Sequence, residues 1–179
     1  MNTYISILRG INVSGKNIIK MTDLKQLYEG LSFIDVQTYI QSGNVIFRTK
    51  EQNIVSIEKT ITEQISAQYG YDIPVLILKS EKLRKIIESV PFKNIDTSKL
   101  HVTFLTNKCT NSPIDQIMEK KASSELVHLT EEAVYIFCPD GYGKTKLSNN
   151  YLEKKLKVAA TTRNWKTVNK LLELTLTEN

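Results

Sequence analysis

The sequence has few of the residues that mark specialised protein classes. Its 179 residues include two cysteines, four prolines and seven glycines. These numbers are too low for a disulfide scaffold, a collagen-like chain or a proline- and glycine-rich disordered protein. No apolar run approaches the roughly 20 residues of a membrane-spanning helix, so we expect no membrane partner. The N-terminus lacks the features of a signal peptide, and the distant cysteines Cys109 and Cys138 favour reduced thiols. These absences predict a cytoplasmic protein.

Groups that commonly carry catalysis or ligate metals are also scarce. The two histidines, His101 and His128, each lie in a strand pattern, and neither is near a cysteine or a carboxylate cluster in the sequence. No Cys-x-x-Cys or His-x-x-x-His pattern occurs, so the sequence predicts neither a metal site nor a cofactor. Ser42 would need a neighbouring base to act as a nucleophile, and its Gln-Ser-Gly-Asn context is typical of a hairpin turn. Whether the protein is an enzyme stays open.

The sequence does contain the apolar patterning of a globular protein, with 41% hydrophobic and 24% charged residues. The patterns of the first part are strand 4–8, helix 22–31, strands 36–40 and 45–47, helix 51–69 and strand 75–78. This order, βαββαβ, is that of a ferredoxin-like unit. A helix that begins at Ser80 and stops before Pro91 then leads into a second series of similar elements.

The second series repeats this order except at its end. Its patterns are strand 100–105, a helix opened by Pro113, strands 126–129 and 134–137, and helix 146–156. In place of a last strand we expect a short link and a final helix from about Asn164, with residues 175–179 frayed. The prediction is an α+β fold of two tandem ferredoxin-like halves with mostly antiparallel sheets, plus a C-terminal helix. The expected divisions are 1–79 (first half), 80–99 (connecting helix and linker) and 100–179 (second half).

Positive charge is concentrated at the two ends of the chain. Residues 1–50 carry six basic and three acidic side chains, residues 51–141 carry ten and thirteen, and residues 142–179 carry eight and three. If the two ends meet in space, they form one basic face that suits an anionic partner, and we predict nucleic acid or a nucleotide. The alternative is a solvated, lysine-rich surface with no ligand.

The first candidate anion-binding segment is the loop 9–20. Its run Gly10-Ile-Asn-Val-Ser-Gly-Lys-Asn17 nearly matches a phosphate-binding loop. However, Asn17 replaces the Mg²⁺-binding hydroxyl, the helix pattern begins only at Thr22, and the hairpins argue against the parallel sheet of such enzymes. The weaker prediction is a loop that binds an anion through glycine amides and basic side chains, and the alternative is a connecting loop. Its candidate residues are Arg9, Asn12, Lys16, Asn17 and Lys20.

The second candidate segment runs from Gly141 to Lys170. We expect Arg163 just before the last helix, where its guanidinium can grip a phosphate beside the helix N-terminus; a salt bridge at the helix start is the alternative. Trp165 is in register with the apolar face of that helix, which favours a place in the core. Tyr142 either stacks on a base or covers the core. The candidate residues here are Lys144, Lys146, Arg163 and Asn164.

These segments carry a family resemblance. They contain the runs Arg9-Gly-Ile-Asn-Val-x-Gly-Lys-Asn17, Tyr39-Ile-Gln-Ser-Gly-Asn-Val45, Lys146-Leu-Ser-Asn149 and Ala160-Thr-Thr-Arg-Asn-Trp-x-Thr-Val168. In these runs the chain resembles a bacterial family catalogued as domain of unknown function 1697. The resemblance covers nearly the whole chain and implies an α+β protein of two ferredoxin-like halves, but it implies no activity. Ser14 and Lys144-Thr145 depart from the family's more usual glycine and small residues.

Three functional hypotheses follow from the sequence. The first is a protein that binds a phosphate-bearing partner through the loop 9–20 and the segment from Lys144 to Arg163. The second is an enzyme acting on a small phosphorylated substrate, with Lys16, Lys146 and Arg163 as electrostatic clamps. The third is an interaction module in which the residues of the family runs only hold the two halves together.

Overall fold

The computed structural model describes residues 1–109 and 113–176. The first half contains, in order, β1 (Asn2–Leu8), α1 (Met21–Gly30), β2 (Ile34–Tyr39), β3 (Asn44–Thr49), α2 (Ile54–Tyr69), β4 (Val75–Lys79) and α3 (Ser80–Glu88). The second half contains β5 (Leu100–Leu105), α4 (Ile114–Lys120), β6 (Leu126–Leu129), β7 (Ala133–Phe137), α5 (Asn149–Leu156), β8 (Ala160–Asn164) and α6 (Trp165–Leu176). None of the helices in this described part is long and apolar enough to cross a membrane.

The strands form two four-stranded antiparallel sheets. Their strand orders are β2-β3-β1-β4 and β6-β7-β5-β8, so the two sheets have the same topology. Each half has the element order βαββαβ followed by one further helix. The predicted α+β fold of two tandem halves with antiparallel sheets, followed by a C-terminal helix, is confirmed.

A strand lies between α5 and α6, where the sequence predicted only a short link. Residues Ala160–Asn164 form β8, which pairs with β5 from Leu105↔Ala160 to His101↔Asn164. The prediction was wrong because the run Ala-Thr-Thr-Arg-Asn lacks the apolar residues that indicate a buried strand. β8 is an edge strand, and strand preference depends on such surroundings more than on residue type. The last helix accordingly begins at Trp165.

Each half encloses an apolar core between one face of its sheet and its helices. In α2, the Asn53 side chain caps the first turn by accepting hydrogen bonds from the Val55 and Ser56 amides, and Gly70 ends the helix at a φ of 68°. The α2 residues Ile57, Ile61 and Ile65 are buried in the first core together with Tyr4, Leu24, Tyr28, Phe47 and Ile77. The second core includes Leu105, Ile117, Val134, Ile136, Leu147, Leu152 and Leu156.

The chain divides into two compact units. The first comprises Met1–Arg84 and the chain from Leu171 on, and the second comprises Lys85–Lys170. The boundaries therefore fall within α3 and α6, and the divisions 1–79, 80–99 and 100–179 remain a prediction. Of the residues expected to fray, Thr175 and Leu176 are helical, and 177–179 lie outside the described residues.

Candidate anion-binding surfaces

The loop between β1 and α1 holds an unusual number of left-handed residues. Gly10, Asn12, Ser14, Gly15 and Asn17 all have positive φ angles, between 48° and 73°. Such angles are uncommon outside glycine, although asparagine adopts them more readily than most residues. Ser14, which stands where the resembling family more often has glycine, carries a φ of 50°. This loop conformation is strained and must be held by specific contacts.

Asparagine side chains supply those contacts. The Asn12 amide donates hydrogen bonds to the carbonyls of Ile19 at 2.8 Å and Gln41 at 2.9 Å, and its oxygen accepts one from the Ile19 amide at 2.9 Å. The Asn17 amide donates to the Gly10 carbonyl at 3.1 Å. Both candidate asparagines thus hold the loop in shape, and Asn12 also ties it to the turn between β2 and β3.

That turn is built around Gly43. Its φ is 78°, and a Cβ atom at this position would lie 2.6 Å from Cδ1 of the buried Ile11. Its carbonyl accepts a hydrogen bond from the Leu8 amide at 2.8 Å. The buried Asn44 donates to the Tyr39 carbonyl and the Ser42 hydroxyl, both at 3.0 Å. The Gln-Ser-Gly-Asn run and the first loop therefore form one packed and hydrogen-bonded structure.

The cations of the first loop differ in their exposure. Lys16 and Lys20 are exposed and form no ion pair with residues in 1–109 or 113–176, whereas Arg9 is half-buried. Three other cations of this unit have carboxylate partners: Lys25 pairs with Glu29, Arg48 with Asp35 and Lys59 with Glu63. The two loop lysines are therefore the candidate residues in this segment that are best placed to meet an external anion.

In the second half, three polar side chains converge on Thr162. Its hydroxyl donates a hydrogen bond to Asn149 Oδ1 at 2.6 Å and accepts one from the Tyr142 hydroxyl at 3.0 Å. The Thr103 hydroxyl lies 2.7 Å away. Because Thr162 has one proton to give, Thr103 donates to it. This group, the Thr162 cluster, joins β5, β8, the first residue of α5 and the turn before α5.

His101 extends the Thr162 cluster along β5. Its ring stacks on Tyr142, with ring centroids 4.6 Å apart and planes inclined by 23°. Its Nδ1 atom lies 3.3 Å from the Lys99 carbonyl. Partial burial lowers the pKa of His101 below its ordinary value, and the hydrogen bond to Lys99 opposes this only in part. The imidazole is therefore neutral near pH 7.

Arg163 lies in β8 and points away from the Thr162 cluster. It is opposite Val102, and successive strand residues alternate between sheet faces, so Arg163 and Thr162 lie on different faces. The guanidinium is half-buried and donates to the Thr162 carbonyl at 2.9 Å. Burial lowers the pKa of Arg163 to about 10. Arg163 lies just before α6, as predicted, but it belongs to β8 instead of a short link. Its role in anion binding stays a prediction.

Asn164 caps the last helix. Its side-chain oxygen accepts a hydrogen bond from the Thr167 amide at 2.8 Å, which satisfies one of the amides that an α-helix leaves unpaired at its start. Trp165, the first residue of α6, is half-buried, while Val168 and Leu171 are fully buried. The side chain of Asn164 therefore has a structural partner, as have Asn12 and Asn17.

Five lysines of the segment Tyr142–Lys170 are exposed. They form no ion pair with any residue in the described ranges: Lys144, Lys146, Lys154, Lys157 and Lys166. The sequence has one acid in this segment, Glu153. Its carboxylate accepts a hydrogen bond from the Ala160 amide at 2.8 Å. The positive charge of this surface is therefore largely uncompensated by neighbouring side chains.

The nine candidate residues fall in both units and divide by role. The lysines are exposed, the asparagines are engaged in hydrogen bonds within the protein, and the two arginines are half-buried. Sequence reasoning missed the Thr162 cluster, because Thr103 and Thr162 are far apart in the chain. The sequence did offer one signal for this cluster: Asn149 and Thr162 each lie in one of the runs that carry the family resemblance.

Other features of the described residues lie away from these candidates. A cavity of about 350 Å³ in the second unit is lined by residues that include the ion pair Lys108–Glu131, and one of about 290 Å³ in the first unit lies between α1 and α2. None of the nine candidates lines either cavity. Cys109 and Cys138 are buried thiols, and burial raises the pKa of Cys138 to about 11. Within the described ranges, no group of three or more His, Cys, Asp or Glu side chains is placed to hold a metal ion.

Comparison with known proteins identifies a family and a solved structure of the same fold. No curated protein matches it. The structure of a conserved bacterial protein, SP0830 from Streptococcus pneumoniae, is similar, with a TM-score of 0.75 and 24% identity over 97% of this chain and 98% of that one. This likeness shows a shared fold. A family model described as "Protein of unknown function (DUF1697)" matches residues 1–135, a range that includes the first loop and the Gln-Ser-Gly-Asn turn. The chain therefore belongs to the DUF1697 family.

Proposed function

We propose that the protein binds nucleic acid through the basic segment Tyr142–Lys170. The observation that carries this proposal is the set of five exposed lysines that have no carboxylate partner. In nucleic-acid-binding proteins, such unpaired cations neutralise phosphates and release the counterions that were bound to them. The proposal includes a location in the cytoplasm, where nucleic acid is available.

The spread of the lysines favours a polyanion over a small phosphorylated ligand. Lys144 and Lys146 precede α5, whereas Lys154 lies in its last turn and Lys157 just beyond it. A helix of eight residues is about 12 Å long at 1.5 Å per residue. One small phosphate cannot contact lysines at both ends of such a helix, but consecutive phosphates along a nucleic acid strand can. The same reasoning makes Lys16 and Lys20 a second contact surface in the first unit.

The polar residues of the family runs have a supporting role in this proposal. Asn149 and Thr162 connect the start of α5 to β8, and Asn164 caps α6. These bonds fix the backbone that carries Lys144, Lys146 and Lys166. Phosphate contacts position a nucleic acid without reading its sequence, so we expect binding with little sequence preference.

The test is fluorescence anisotropy of labelled RNA and DNA oligonucleotides across a salt series. We expect the logarithm of the association constant to fall linearly with the logarithm of salt concentration. In the double variant Lys144→Gln/Lys146→Gln, the slope should decrease in magnitude by about 0.7 for each phosphate that the protein no longer neutralises on a single strand, and by about 0.9 on duplex DNA.

A matched control separates local contacts from total charge. Lys50→Gln/Lys93→Gln also removes two charges from exposed lysines, but these lie outside the basic segment, so the salt slope should be nearly that of the unmodified protein. If both double variants show the same reduction in affinity and in slope, the segment Tyr142–Lys170 is not the contact surface. If the unmodified protein binds no oligonucleotide even at low salt, the proposal is wrong.

A further inference from the structure

The stacked rings of His101 and Tyr142 lie beside the first lysines of the basic segment. Tyr142 and Lys144 belong to one short 3₁₀ turn, and Lys146 follows two residues later. Both rings are only partly buried, and Tyr142 also packs against the second core. In the described part of the chain, Tyr142 is the only aromatic ring that stacks on His101. A flat ring pair therefore lies next to two exposed cations.

The position of these rings is fixed by the Thr162 cluster. The Tyr142 hydroxyl donates to Thr162 at 3.0 Å, and Thr162 is bonded in turn to Thr103 and Asn149. His101 is held by its place in β5, between its sheet partners Ile136 and Asn164. A ring that is already immobilised loses little conformational entropy when a ligand binds to it. The cluster thus presents a preorganised aromatic surface.

A fixed aromatic surface beside cations is how proteins bind unpaired nucleic acid strands. Lysines follow the phosphates, and bases stack on aromatic rings with little regard to sequence. A duplex offers no free base faces for such stacking, because its bases are stacked on one another and are read from their edges in the grooves. The His101–Tyr142 pair therefore distinguishes between the two forms of nucleic acid.

We propose that the His101–Tyr142 pair is a stacking platform for an unpaired base, and that the nucleic acid bound by this protein is single-stranded. This inference rests on the proposed function of the basic segment and adds the form of the ligand. The bases make van der Waals and stacking contacts with the rings, while Lys144 and Lys146 neutralise the adjacent phosphates.

The experiment compares three ligands of equal length with the full-length, unmodified protein. These are a labelled single-stranded 12-mer DNA, a 12-mer of the same backbone with abasic sites at every position, and a 12-base-pair duplex. We expect the single strand to bind about tenfold more tightly than the abasic strand, because one base–aromatic stack increases affinity by about this factor. The duplex should bind more weakly than the single strand at equal salt.

Variants at Tyr142 test whether the difference in affinity between base-containing and abasic strands depends on the His101–Tyr142 pair. Tyr142→Leu removes the ring and should abolish the tenfold preference for bases while leaving the salt slope unchanged. Tyr142→Phe keeps the ring but loses the hydrogen bond to Thr162, so it should retain most of the preference. If Tyr142→Leu fails to fold, the comparison of base-containing and abasic strands with the unmodified protein still tests whether bases contribute to binding.

The outcomes separate this inference from the proposed function. Equal binding of the single strand and the abasic strand, or tighter binding of the duplex, overturns the platform but leaves the basic segment as a nucleic-acid surface. A base preference that persists in a folded Tyr142→Leu variant also overturns it. The absence of binding to all three ligands at low salt overturns both proposals.

Discussion

Strands β4 and β8 occupy the same place in the two halves but are held by different chemistry. Both are edge strands that pair with the first strand of their half, starting at Leu8↔Val75 and at Leu105↔Ala160. In β4 the run Val-Leu-Ile-Leu is buried, whereas β8 reads Ala-Thr-Thr-Arg-Asn. In this register Ile77 corresponds to Thr162. Ile77 packs in the first core, and Thr162 is the centre of a hydrogen-bond cluster.

The turns beside the first strands differ in a related way. The Leu8 amide donates to the Gly43 carbonyl, and the corresponding Leu105 amide donates to the Glu132 carbonyl. In the first half the glycine is required because Ile11 of the long loop packs directly on it. In the second half a glutamate occupies the position. The same topology is therefore completed by apolar packing at Gly43 and β4 in the first half and by hydrogen bonds to β8 in the second. The second half carries the basic segment Tyr142–Lys170.

The largest effect is expected where the first half is packed most tightly, at Gly43. In Gly43→Ala the new methyl group would lie within 2.9 Å of Ile11 and Leu8 atoms, at a φ of 78°. Overpacking together with the unfavourable φ should lower the free energy of unfolding by about 3 kcal/mol, measured by urea denaturation. Gly70→Ala is the control, because its φ is 68° but no atom lies within 4 Å. It should cost about 1 kcal/mol, and equal losses in the two variants would contradict the packing argument.

The next effect tests whether β4 tolerates the chemistry of β8. Ile77→Thr places a hydroxyl in the first core opposite Ser6, whose own hydroxyl is already hydrogen-bonded to Tyr28, and it removes buried methyl groups. The free energy of unfolding should therefore fall by about 2 kcal/mol. Ile77→Val, which changes only the volume, should cost about 1 kcal/mol. Chemical denaturation at one pH measures both. If the two variants were equally stable, a hydroxyl would be as acceptable at position 77 as at 162, and the contrast between the strands would fail.

A smaller loss is expected when the hydroxyl is removed from β8. Thr162→Val keeps the shape but leaves Thr103, Tyr142 and Asn149 without their common partner. The free energy of unfolding should fall by about 1.5 kcal/mol, because unsatisfied, partly buried polar groups remain. Thr103→Val removes a single hydrogen bond of the Thr162 cluster and should cost about 0.5 kcal/mol. A Thr162→Val variant as stable as the unmodified protein would show that the cluster does not hold β8.

The smallest effect is a pH dependence specific to the second half, where His101 occupies the position of Tyr4 in the first. The pKa of folded His101 is lowered by burial. The unfolded chain, with a histidine pKa near 6.5, therefore binds more protons as the pH falls. Stability from this group is complete above about pH 6.5 and decreases as the pH falls toward the folded pKa.

The measurement is the urea midpoint at pH 7 and at pH 5.5. It should be lower at pH 5.5 in the unmodified protein, and the difference should shrink in His101→Phe, which keeps an aromatic ring on Tyr142. The carboxylates of Asp96 and Glu131, whose pKa values are lowered by hydrogen bonds, contribute mainly below this range. An unchanged difference in His101→Phe would exclude His101 as its source.

Local patterns predicted most of the secondary structure, and they failed where polar residues form regular structure. Ile57, Ile61 and Ile65 were recognisable as one helix face because their spacing reflects which side meets the core. β8 was not recognisable, because its residues are mostly polar and the Thr162 hydroxyl is satisfied by hydrogen bonds to Tyr142 and Asn149 instead of by burial in an apolar core. Nothing within Ala160–Asn164 itself indicates these partners. The sequence placed Arg163 correctly just before the last helix, but because β8 was not recognised it could not place this residue on a sheet face.

The sequence predicted where the positive charge of the candidate site lies, but it did not predict which side chains are held by contacts within the protein. The concentration of lysines between residues 142 and 170 is a property of composition, so it could be counted directly. The assignment of Asn12, Asn17 and Asn164 as ligand contacts could not be checked locally, because an asparagine suits a binding loop and a hydrogen-bonded turn equally well. Only their carbonyl and amide partners decide between these uses.

The sequence alone thus determined the α+β class, the two tandem halves and the positive charge of the ends, because periodicity and composition act over short stretches of chain. The tertiary structure decided that β8 exists, that Thr162 gathers Thr103, Tyr142 and Asn149, and that Gly43 must be a glycine. Each of these depends on contacts between residues distant in sequence. Such contacts form only when the sheet brings its strands together, so no local pattern indicates them.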